Sequence, residues 1–355
     1  MAIFLIFVKL IISQSIDKLS LQFFIWLCLW TIVPFAFGWS YLDPIQNYKY
    51  IFIVWTYLLI ALYFSNLITK DLLTYNKIVR FIVLFWVVVN LFLYINFLFG
   101  HELITSDNVN QFSGVYKNRN YLAVNGVFLL ILFVSTIKKI NLYEIIIICL
   151  IAFITLVTFS TKGVMGLLLI AIYYMLKMKI TKSIILSFLV VLCVLVLYEY
   201  GILDRAIQQV LLLLNQDVEG SGHERKALIS EGLRVCKENI LIGIGVNNSG
   251  NYLFTDYRIG GTYSHNNYIE IMLNGGGVAF LLFYFPHLFI LYKALKINRK
   301  YSVVKDVIIL LIGMRLVMEP FMVTYYSLNS WFYSGIAFYL FFRYLKRATP
   351  NSQVH

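Results

Sequence analysis

The residues best suited to chemistry form one short stretch, Ser264-His265-Asn266-Asn267, followed by Glu270. The imidazole of His265 can accept a proton near neutral pH, because histidine has a reference pKa near 6.5. An apolar helix is predicted to begin here, and the unpaired N–H groups and dipole of a helix start favour a nearby anion. Two interpretations remain open from spacing alone: a catalytic base, or a capping histidine that fastens a loop.

The residues after His265 predict how this helix starts and where it is interrupted. Asn267 and Glu270 have the spacing of a capping box, in which each side chain satisfies a backbone N–H group of the first turn. Gly275-Gly276-Gly277 then falls within the apolar segment. Glycines there break or thin a helix, which is tolerated where protein or a cavity covers the backbone.

Basic residues in several polar connections could supply a counter-charge for an anion. They are Arg225 and Lys226, Lys117 and Arg119 in GVYKNRN, and Lys162 in FSTKG. Each alone is typical of a solvated interface residue. Together they predict a pocket for an anionic ligand, and the forked donors of Arg suit phosphate. At a membrane surface, the expected anion is a lipid-linked pyrophosphate.

A buried ion pair is predicted within the apolar segment 304–324. An ionisable side chain costs a few kcal/mol at the centre of a membrane helix, so each one there needs a partner or a task. Arg315 lies near the middle of the segment, and Glu319 follows one turn later, at ion-pair spacing. A structural pair and a contribution to ligand binding both remain open.

Metal ligands are sparse in the sequence. Asp217 and Glu219 form the one carboxylate pair of the long polar stretch, which is a weak signal in a turn-rich loop. His101, His223 and His287 have no companions at ligand spacing, and no CxxC motif occurs. We therefore predict no metal and no cofactor.

Composition defines the class of protein that must position these residues. The 355 residues are 61% hydrophobic and 13% charged, with a mean hydropathy of +0.80. These values exclude a soluble globular protein. The net charge of +12 is explained by orientation in a bilayer, so we do not expect nucleic acid as a partner.

The apolar segments predict an all-α, polytopic membrane helix bundle of about 10–11 transmembrane helices. A span needs about 20 mostly apolar residues. Segments that qualify are 21–41, 50–69, 78–99, 120–136, 142–160, 163–178, 183–200, 267–292, 304–324 and 327–345. Residues 2–16 are apolar but carry a polar stripe, which favours an interfacial helix over an eleventh span.

The distribution of Lys and Arg predicts the orientation of the bundle. Most of the 29 basic residues lie in one set of alternate connections and at both termini, so the positive-inside rule places both termini in the cytoplasm. The predicted organisation is then N-terminal helices over 1–200, a large extracytoplasmic loop over 201–264, C-terminal helices over 265–347 and a cytoplasmic tail over 348–355. Within the loop, residues 203–214 and 224–239 have helical periodicity.

Five sequence blocks, in this order, resemble the O-antigen ligase and O-antigen polymerase family of bacterial surface-polysaccharide proteins. They are GVYKNRNYLAVNG, FSTKGVMGLLL, GHERKALISEG, ENILIGIGVNN and SHNNYIEIMLNGGGVAFLLFY, and the resemblance spans roughly residues 112–285. The last block is the most specific, because a His-Asn pair leads into an apolar helix with glycines about ten residues later.

The resemblance implies a GT-C-like membrane glycosyltransferase of the bacterial inner membrane that uses neither a nucleotide sugar nor a required metal. Its implied substrates are an undecaprenyl-pyrophosphate-linked glycan donor and a glycan acceptor. A flippase and a chain-length regulator are candidate partners, beside membrane lipids. Arg225 and His265 match the loop arginine and loop histidine of the family, which implies catalytic roles. Arg119 and Lys162 fall at positions that are commonly basic in the family. From the residues themselves we predict that Lys117, Asn266, Asn267, Glu270 and Arg315 also bind the substrate.

The acceptor distinguishes two related activities. A polymerase transfers the glycan to a second lipid-linked glycan, and composition favours it slightly, whereas a ligase transfers it to lipid A-core or protein. A lipid-linked oligosaccharide transporter is an alternative from another class. It would use Arg315 and Glu319 as a coupling pair and the Gly275–Gly277 stretch as a broken helix. A non-catalytic scaffold would leave the cluster around His265 unexplained.

Overall fold

The structure is a computed structural model that describes residues 18–100, 112–116, 118–137, 141–177, 221–253, 262–297 and 302–345. Every regular element in these ranges is helical, which confirms the all-α prediction. The predicted interfacial helix at 2–16, the span at 183–200, the loop helix at 203–214 and the tail at 348–355 lie outside the described residues.

The helices are numbered here in chain order. They are α1 (Lys18–Cys28), α2 (Ile32–Ala36), α3 (Pro44–Ile68), α4 (Leu72–Leu98), α5 (Arg119–Ser135), α6 (Leu142–Leu156), α7 (Thr161–Met175), α8 (Ser221–Glu238), α9 (Asn267–Lys296), α10 (Ser302–Met318) and α11 (Leu328–Leu340). Short 3-10 turns occur at Leu29–Thr31, Gly38–Ser40, Gly114–Tyr116, Ser249–Asn251 and Glu319–Phe321.

Several helices have the length and apolar character of membrane spans. Within the described ranges, four stretches are long and apolar enough to cross a bilayer: Lys18–Ala36, Pro44–Ile68, Leu72–Leu98 and Asn267–Lys296. The helices α5, α6 and α7 are apolar but shorter. Together they confirm a multi-pass membrane protein.

Polar residues at the helix starts explain where the apolar segments become helical. Asp43 accepts a hydrogen bond from Gln46 N at 2.9 Å, and Pro44 occupies the first helical position of α3. Asp71 accepts from Thr74 N at 2.7 Å at the start of α4. These side chains satisfy N–H groups that a helix start leaves unpaired, which matters most where water is scarce.

Two predicted spans are not continuous helices, and a proline explains each correction. The segment 21–41 is divided into α1, a 3-10 turn and α2, because Pro34 has no N–H group for the carbonyl of Trp30. The segment 304–324 is helical only to Met318, and a 3-10 turn that contains Pro320 follows. A proline disfavours the helical conformation of the residue before it.

The chain forms two compact units, Met1–Lys70 with Glu219–His355 and Asp71–Val218. In the second unit, α5 lies against α6 and α7. The helices α5 and α6 approach each other closely because Gly126 has no side chain: a Cβ atom there would lie 2.3 Å from Thr155 Oγ1. Arg80 and Glu144 pair at 3.1 Å and join α4 to α6.

Within the first unit, alternate connections meet at opposite ends, as successive membrane spans require. At one end, the Tyr41 hydroxyl donates to Ile242 O at 2.6 Å, so the α2–α3 connection meets the segment after α8. At the other end, Arg343 Nη1 donates to Asn66 O at 3.0 Å, and Asn66 donates to Ser20 Oγ at 3.3 Å.

The helix α9 turns back on itself at Gly275 and Gly276. Gly275 has φ −152° and Gly276 has φ 72° and ψ −168°, which are not helical values. Asn267 Nδ2 donates to the Tyr284 hydroxyl at 3.2 Å, although a straight helix would separate residues 17 apart in sequence by about 25 Å. The predicted span 267–292 lies within a stretch that is long and apolar enough to cross a bilayer, and the predicted break at the glycines is confirmed: the residues before it fold back toward Tyr284.

The break in α9 leaves backbone groups that the segment after α8 satisfies. Ile244 N donates to Leu273 O at 2.6 Å, and Gly277 N donates to Ile240 O at 2.7 Å. A Cβ atom on Gly243 would lie 2.4 Å from Leu273 O, so only glycine permits this approach. The Gly243–Gly245 bend therefore lies directly against the backbone of α9.

Candidate functional site

His265 occupies a strained backbone position immediately before α9. Its φ is 57°, in the left-handed region that residues other than glycine adopt rarely. The following residue, Asn266, caps the helix: its Oδ1 accepts from Tyr268 N at 2.9 Å and from Ile269 N at 3.3 Å. The predicted capping box is therefore wrong by one position at its start, since the cap is Asn266 and not Asn267.

Glu270 reaches back to the turn that carries His265. Its Oε1 accepts a hydrogen bond from Ser264 N at 2.6 Å. Ser264 Oγ donates to Asn266 O at 2.9 Å, so the same turn is closed on both sides of the histidine. Ser264 is fully buried and Glu270 is 1% exposed. The predicted capping carboxylate thus acts on a residue three positions earlier than a capping box requires.

Tyr263 links His265 to Arg225. The Tyr263 and His265 rings lie 4.1 Å apart between centroids and are inclined at 44°. Arg225 is half-buried, and this burial lowers the pKa of its guanidinium, while Tyr263 and Glu224 oppose the shift electrostatically. An arginine keeps its proton despite such a shift, because its reference pKa exceeds 12. Tyr263 thus contacts the His265 ring and interacts electrostatically with Arg225, while the catalytic roles of these two residues stay a prediction.

The packing of α8 against the start of α9 holds Arg225 there. Leu228, Val235 and Cys236 are buried in one apolar core with Ile269 and Leu273. Helical periodicity predicted a helix over 224–239, and the structure confirms it as α8. Burial raises the pKa of the Cys236 thiol to about 12, so this cysteine stays protonated and belongs to the core. Gly232 allows the contact, since a Cβ atom there would lie 2.7 Å from Ile269 Cγ2.

Asn267 binds the non-helical segment between α10 and α11. Its Oδ1 accepts from Thr324 N at 2.8 Å and from Tyr325 N at 3.2 Å, and it has no exposed surface. The two N–H groups lie outside any helix, where a membrane protein must satisfy them by other means. Asn267 thus joins the turned-back part of α9 to the 322–327 segment, one residue away from the histidine turn.

The predicted pair of Arg315 and Glu319 is confirmed as a buried contact. Arg315 Nε lies 2.9 Å from Glu319 Oε1, and the two side chains are 4% and 0% exposed. Arg315 also donates to Ser334 Oγ, and its guanidinium lies 4.8 Å from the Trp331 ring centroid. Glu319 Oε1 accepts from Thr324 Oγ1 at 2.8 Å. Like Asn267, the pair thereby binds Thr324 of the 322–327 segment, and its role in substrate binding stays a prediction.

In the second compact unit, Arg119 and Lys162 lie at two helix starts that meet. Arg119 opens α5, and its Nη1 donates to Phe159 O at 3.5 Å, just before α7. Ser160 Oγ, at the N-cap of α7, donates to Asn120 Oδ1 at 2.8 Å. Lys162 follows in the first turn of α7 and is 8% exposed. Two cations and two helix N-termini therefore share one neighbourhood, which is favourable for an anion.

Lys117, predicted to bind the substrate, lies outside the described residues, as do the carboxylates at 217 and 219 that were considered as metal ligands. Among the residues that are described, no group of three or more His, Cys, Asp or Glu side chains could hold a metal ion.

Sequence reasoning did not single out Tyr263 or Ser264 as partners of the histidine. Both residues are close to His265 in the sequence, but this alone does not predict a contact. The Tyr263 ring can reach the His265 ring only if the backbone turns between the two residues. A left-handed turn at a histidine is not visible in residue types. The contact of Asn267 with Tyr284 was also missed, since it depends on how sharply α9 turns.

Comparison with known proteins gives one match. A family model described as O-antigen ligase matches residues 145–284. A search of curated proteins finds no match. The matched range contains Lys162, Arg225 and His265 and supports the assignment to the O-antigen ligase and polymerase family.

Proposed function

We propose that this protein is a membrane glycosyltransferase that polymerises undecaprenyl-pyrophosphate-linked repeat units, a proposal that the match of residues 145–284 to the O-antigen ligase family model supports at the level of the family. The product is an O-antigen or a capsular polysaccharide. The observation that carries the proposal is the placement of His265, in a left-handed backbone turn, beside Tyr263 and near Arg225. Strained backbone at a polar residue is typical of functional sites.

In the proposed reaction, His265 acts as the general base. It takes the proton from an acceptor sugar hydroxyl while that oxygen attacks the anomeric carbon of the donor glycan. The bond between the anomeric carbon and the pyrophosphate oxygen breaks, and undecaprenyl pyrophosphate leaves with the electron pair. A positioned base typically contributes about 100- to 10,000-fold. A single displacement inverts the anomeric centre.

Arg225 stabilises the charge that develops on the departing pyrophosphate. The guanidinium is half-buried, so it interacts more strongly with an anion than it would in bulk water. We further propose that Arg119 and Lys162 bind a phosphate group of a lipid-linked substrate. Their placement at two adjoining helix N-termini supports this role.

A turnover assay separates this activity from its alternatives. The purified protein is mixed with synthetic undecaprenyl-pyrophosphate repeat units, and glycan length is followed for the wild type and for His265→Ala. Polymerase activity gives a ladder of glycans with the wild type and none with the variant. Extension that requires an added lipid A-core acceptor identifies a ligase instead.

Transport is tested with the same two proteins in liposomes. Movement of the lipid-linked glycan between leaflets, unimpaired in His265→Ala and without any glycan ladder in the wild type, would contradict the catalytic proposal. The broken helix α9 is the feature that a transporter would share. The polar contacts around His265 are unnecessary for that activity.

A further inference from the structure

We propose that Glu270 is a positioning residue, whose carboxylate holds the turn at His265 in the conformation that transfers the proton. This inference rests on the proposed role of His265 as the base. It gives Glu270 a task distinct from substrate contact, because its side chain is 1% exposed and points back toward the chain.

The turn needs such an anchor because its backbone conformation is unfavourable. A residue other than glycine loses about 1–2 kcal/mol in the left-handed region. Free to relax, the backbone at His265 would leave φ 57° and carry the imidazole away from Tyr263. A strained conformation persists only where surrounding contacts over-determine it.

Glu270 supplies the contact that is best placed to prevent relaxation. The bond from Ser264 N to Glu270 Oε1 is 2.6 Å long and fixes the Tyr263–Ser264 peptide group, from which the backbone enters the turn at His265. The Ser249 hydroxyl donates to the same carboxylate, which fixes the carboxylate in turn.

The helix α9 makes this contact possible. Asn266 caps α9, so Glu270 lies one turn into the helix, and its side chain points back over the turn N-terminal to it. Ile269 beside it is buried in the core with Leu228 of α8, which fixes the rotation of the helix about its axis. Glu270 therefore transmits the position of a packed helix to the histidine turn.

Two substitutions separate the reach of the side chain from its charge. Glu270→Gln keeps an oxygen at the same reach without the charge, whereas Glu270→Asp keeps the charge and withdraws the oxygen by one methylene group. We expect Gln to retain most of the wild-type kcat. We expect Asp to lose up to about 100-fold in kcat, the cost of a displacement near 1 Å, with KM for the lipid-linked donor unchanged.

Ile151→Ala is the control for stability. It removes a fully buried side chain from α6, a helix that carries none of the residues proposed for the site, and leaves the Ser264–Glu270 bond intact. We expect a lower thermal midpoint with kcat close to that of the wild type. Equal loss of kcat in Ile151→Ala and Glu270→Asp would show that general destabilisation, and not positioning, controls the rate.

The same assay distinguishes failure of this inference from failure of the proposed function. His265→Ala that still polymerises would remove the proposed base. An inactive His265→Ala together with an active Glu270→Asp would retain the base and overturn positioning. An active Glu270→Asp beside an inactive Glu270→Gln would show that the charge, and not the reach, is required, which also overturns the inference.

Discussion

At position 265, the backbone conformation favours glycine, whereas the proposed chemistry requires the imidazole of a histidine. The left-handed turn suits glycine, yet a histidine stands there. We therefore expect His265→Gly to be more stable than His265→Ala by about 1 kcal/mol, because alanine keeps the strain and glycine relieves it. Both variants should lose about 100- to 10,000-fold in turnover. Thermal unfolding in detergent and the polymerisation assay measure the two effects.

A capping role for His265 predicts a different result. If the histidine only fastened the loop, the turnover of His265→Gly would fall only as far as its lower stability reduces the amount of folded protein. A Gly variant that is stable and polymerises normally would thus contradict catalysis by this side chain.

Arg225 and Arg234 provide a matched pair on one helix. Arg234 is exposed and forms ion pairs with Glu231 and Glu238 along the outer face of α8, where solvent screens them. We expect Arg225→Ala to lower the rate by about 100- to 1,000-fold, as for the loss of one preorganised group in a transition state. Arg234→Ala should leave turnover close to the wild-type value. Comparable losses in the two variants would remove the specific role of Arg225.

The sequence could predict which residues belong to the site better than it could predict their contacts. The types and spacing of His265 and Arg225 indicated an anion and a base, and in the structure Tyr263 contacts the His265 ring and interacts electrostatically with Arg225. The cap, by contrast, falls on Asn266 because of the left-handed turn before it. Asn266, Asn267 and Glu270 allow several capping arrangements, and the backbone conformation determines which one forms.

At the level of elements, the break in α9 depends on glycine at one position in particular. Gly276 has φ 72°, and a Cβ atom there would lie 2.4 Å from Leu241 O. Gly276→Ala should therefore destabilise the protein by about 3 kcal/mol, through backbone strain and overpacking together. Loss of thermal stability, measured by unfolding in detergent, checks this.

Gly313 is the control for this substitution. It lies within α10 and has no atoms within 4 Å of an added Cβ, so Gly313→Ala should be neutral or stabilising by up to about 1 kcal/mol. If Gly276→Ala is equally harmless, the turn in α9 is absent and the helix is continuous.

The apolar segments of the sequence predicted where most helices lie, but they did not predict how sharply a helix bends at its interruptions. The prolines at 34 and 320 and the glycines at 275 and 276 are visible as breakers in the sequence. Whether a breaker bends a helix slightly or reverses its direction depends on what replaces the lost hydrogen bonds. In α9, the replacement comes from Ile240 and Ile244, which are distant in sequence and carry no pattern that identifies their partner.

For the whole molecule, the predicted orientation remains to be tested. Leu42 is 67% exposed at the end of the first unit that contains the segment after α8, and Lys70 is exposed near the opposite end. Single cysteines at these two positions, in a background without native cysteines, can be treated with a membrane-impermeant maleimide in spheroplasts. We expect labelling at position 42 and none at position 70, because basic residues favour the cytoplasmic side.

The reverse labelling pattern would place both termini outside. The site at His265 would then face the cytoplasm, where nucleotide sugars are present, and the proposed lipid-linked donor would lose its main rationale. Orientation is therefore a test of substrate class as well as of topology.

The polypeptide on either side of residues 254–261 is pinned by one backbone bond, from Thr262 N to Leu253 O at 3.3 Å. Leu253 is fully buried, so the acceptor of this hydrogen bond is held in place by the protein core. Changes of length between the two anchors cost little, since loop entropy varies slowly with length. The backbone that enters the His265 turn is therefore hydrogen-bonded to a buried residue, so the turn is anchored to the protein core before His265 as well as after it, where Glu270 of α9 binds Ser264.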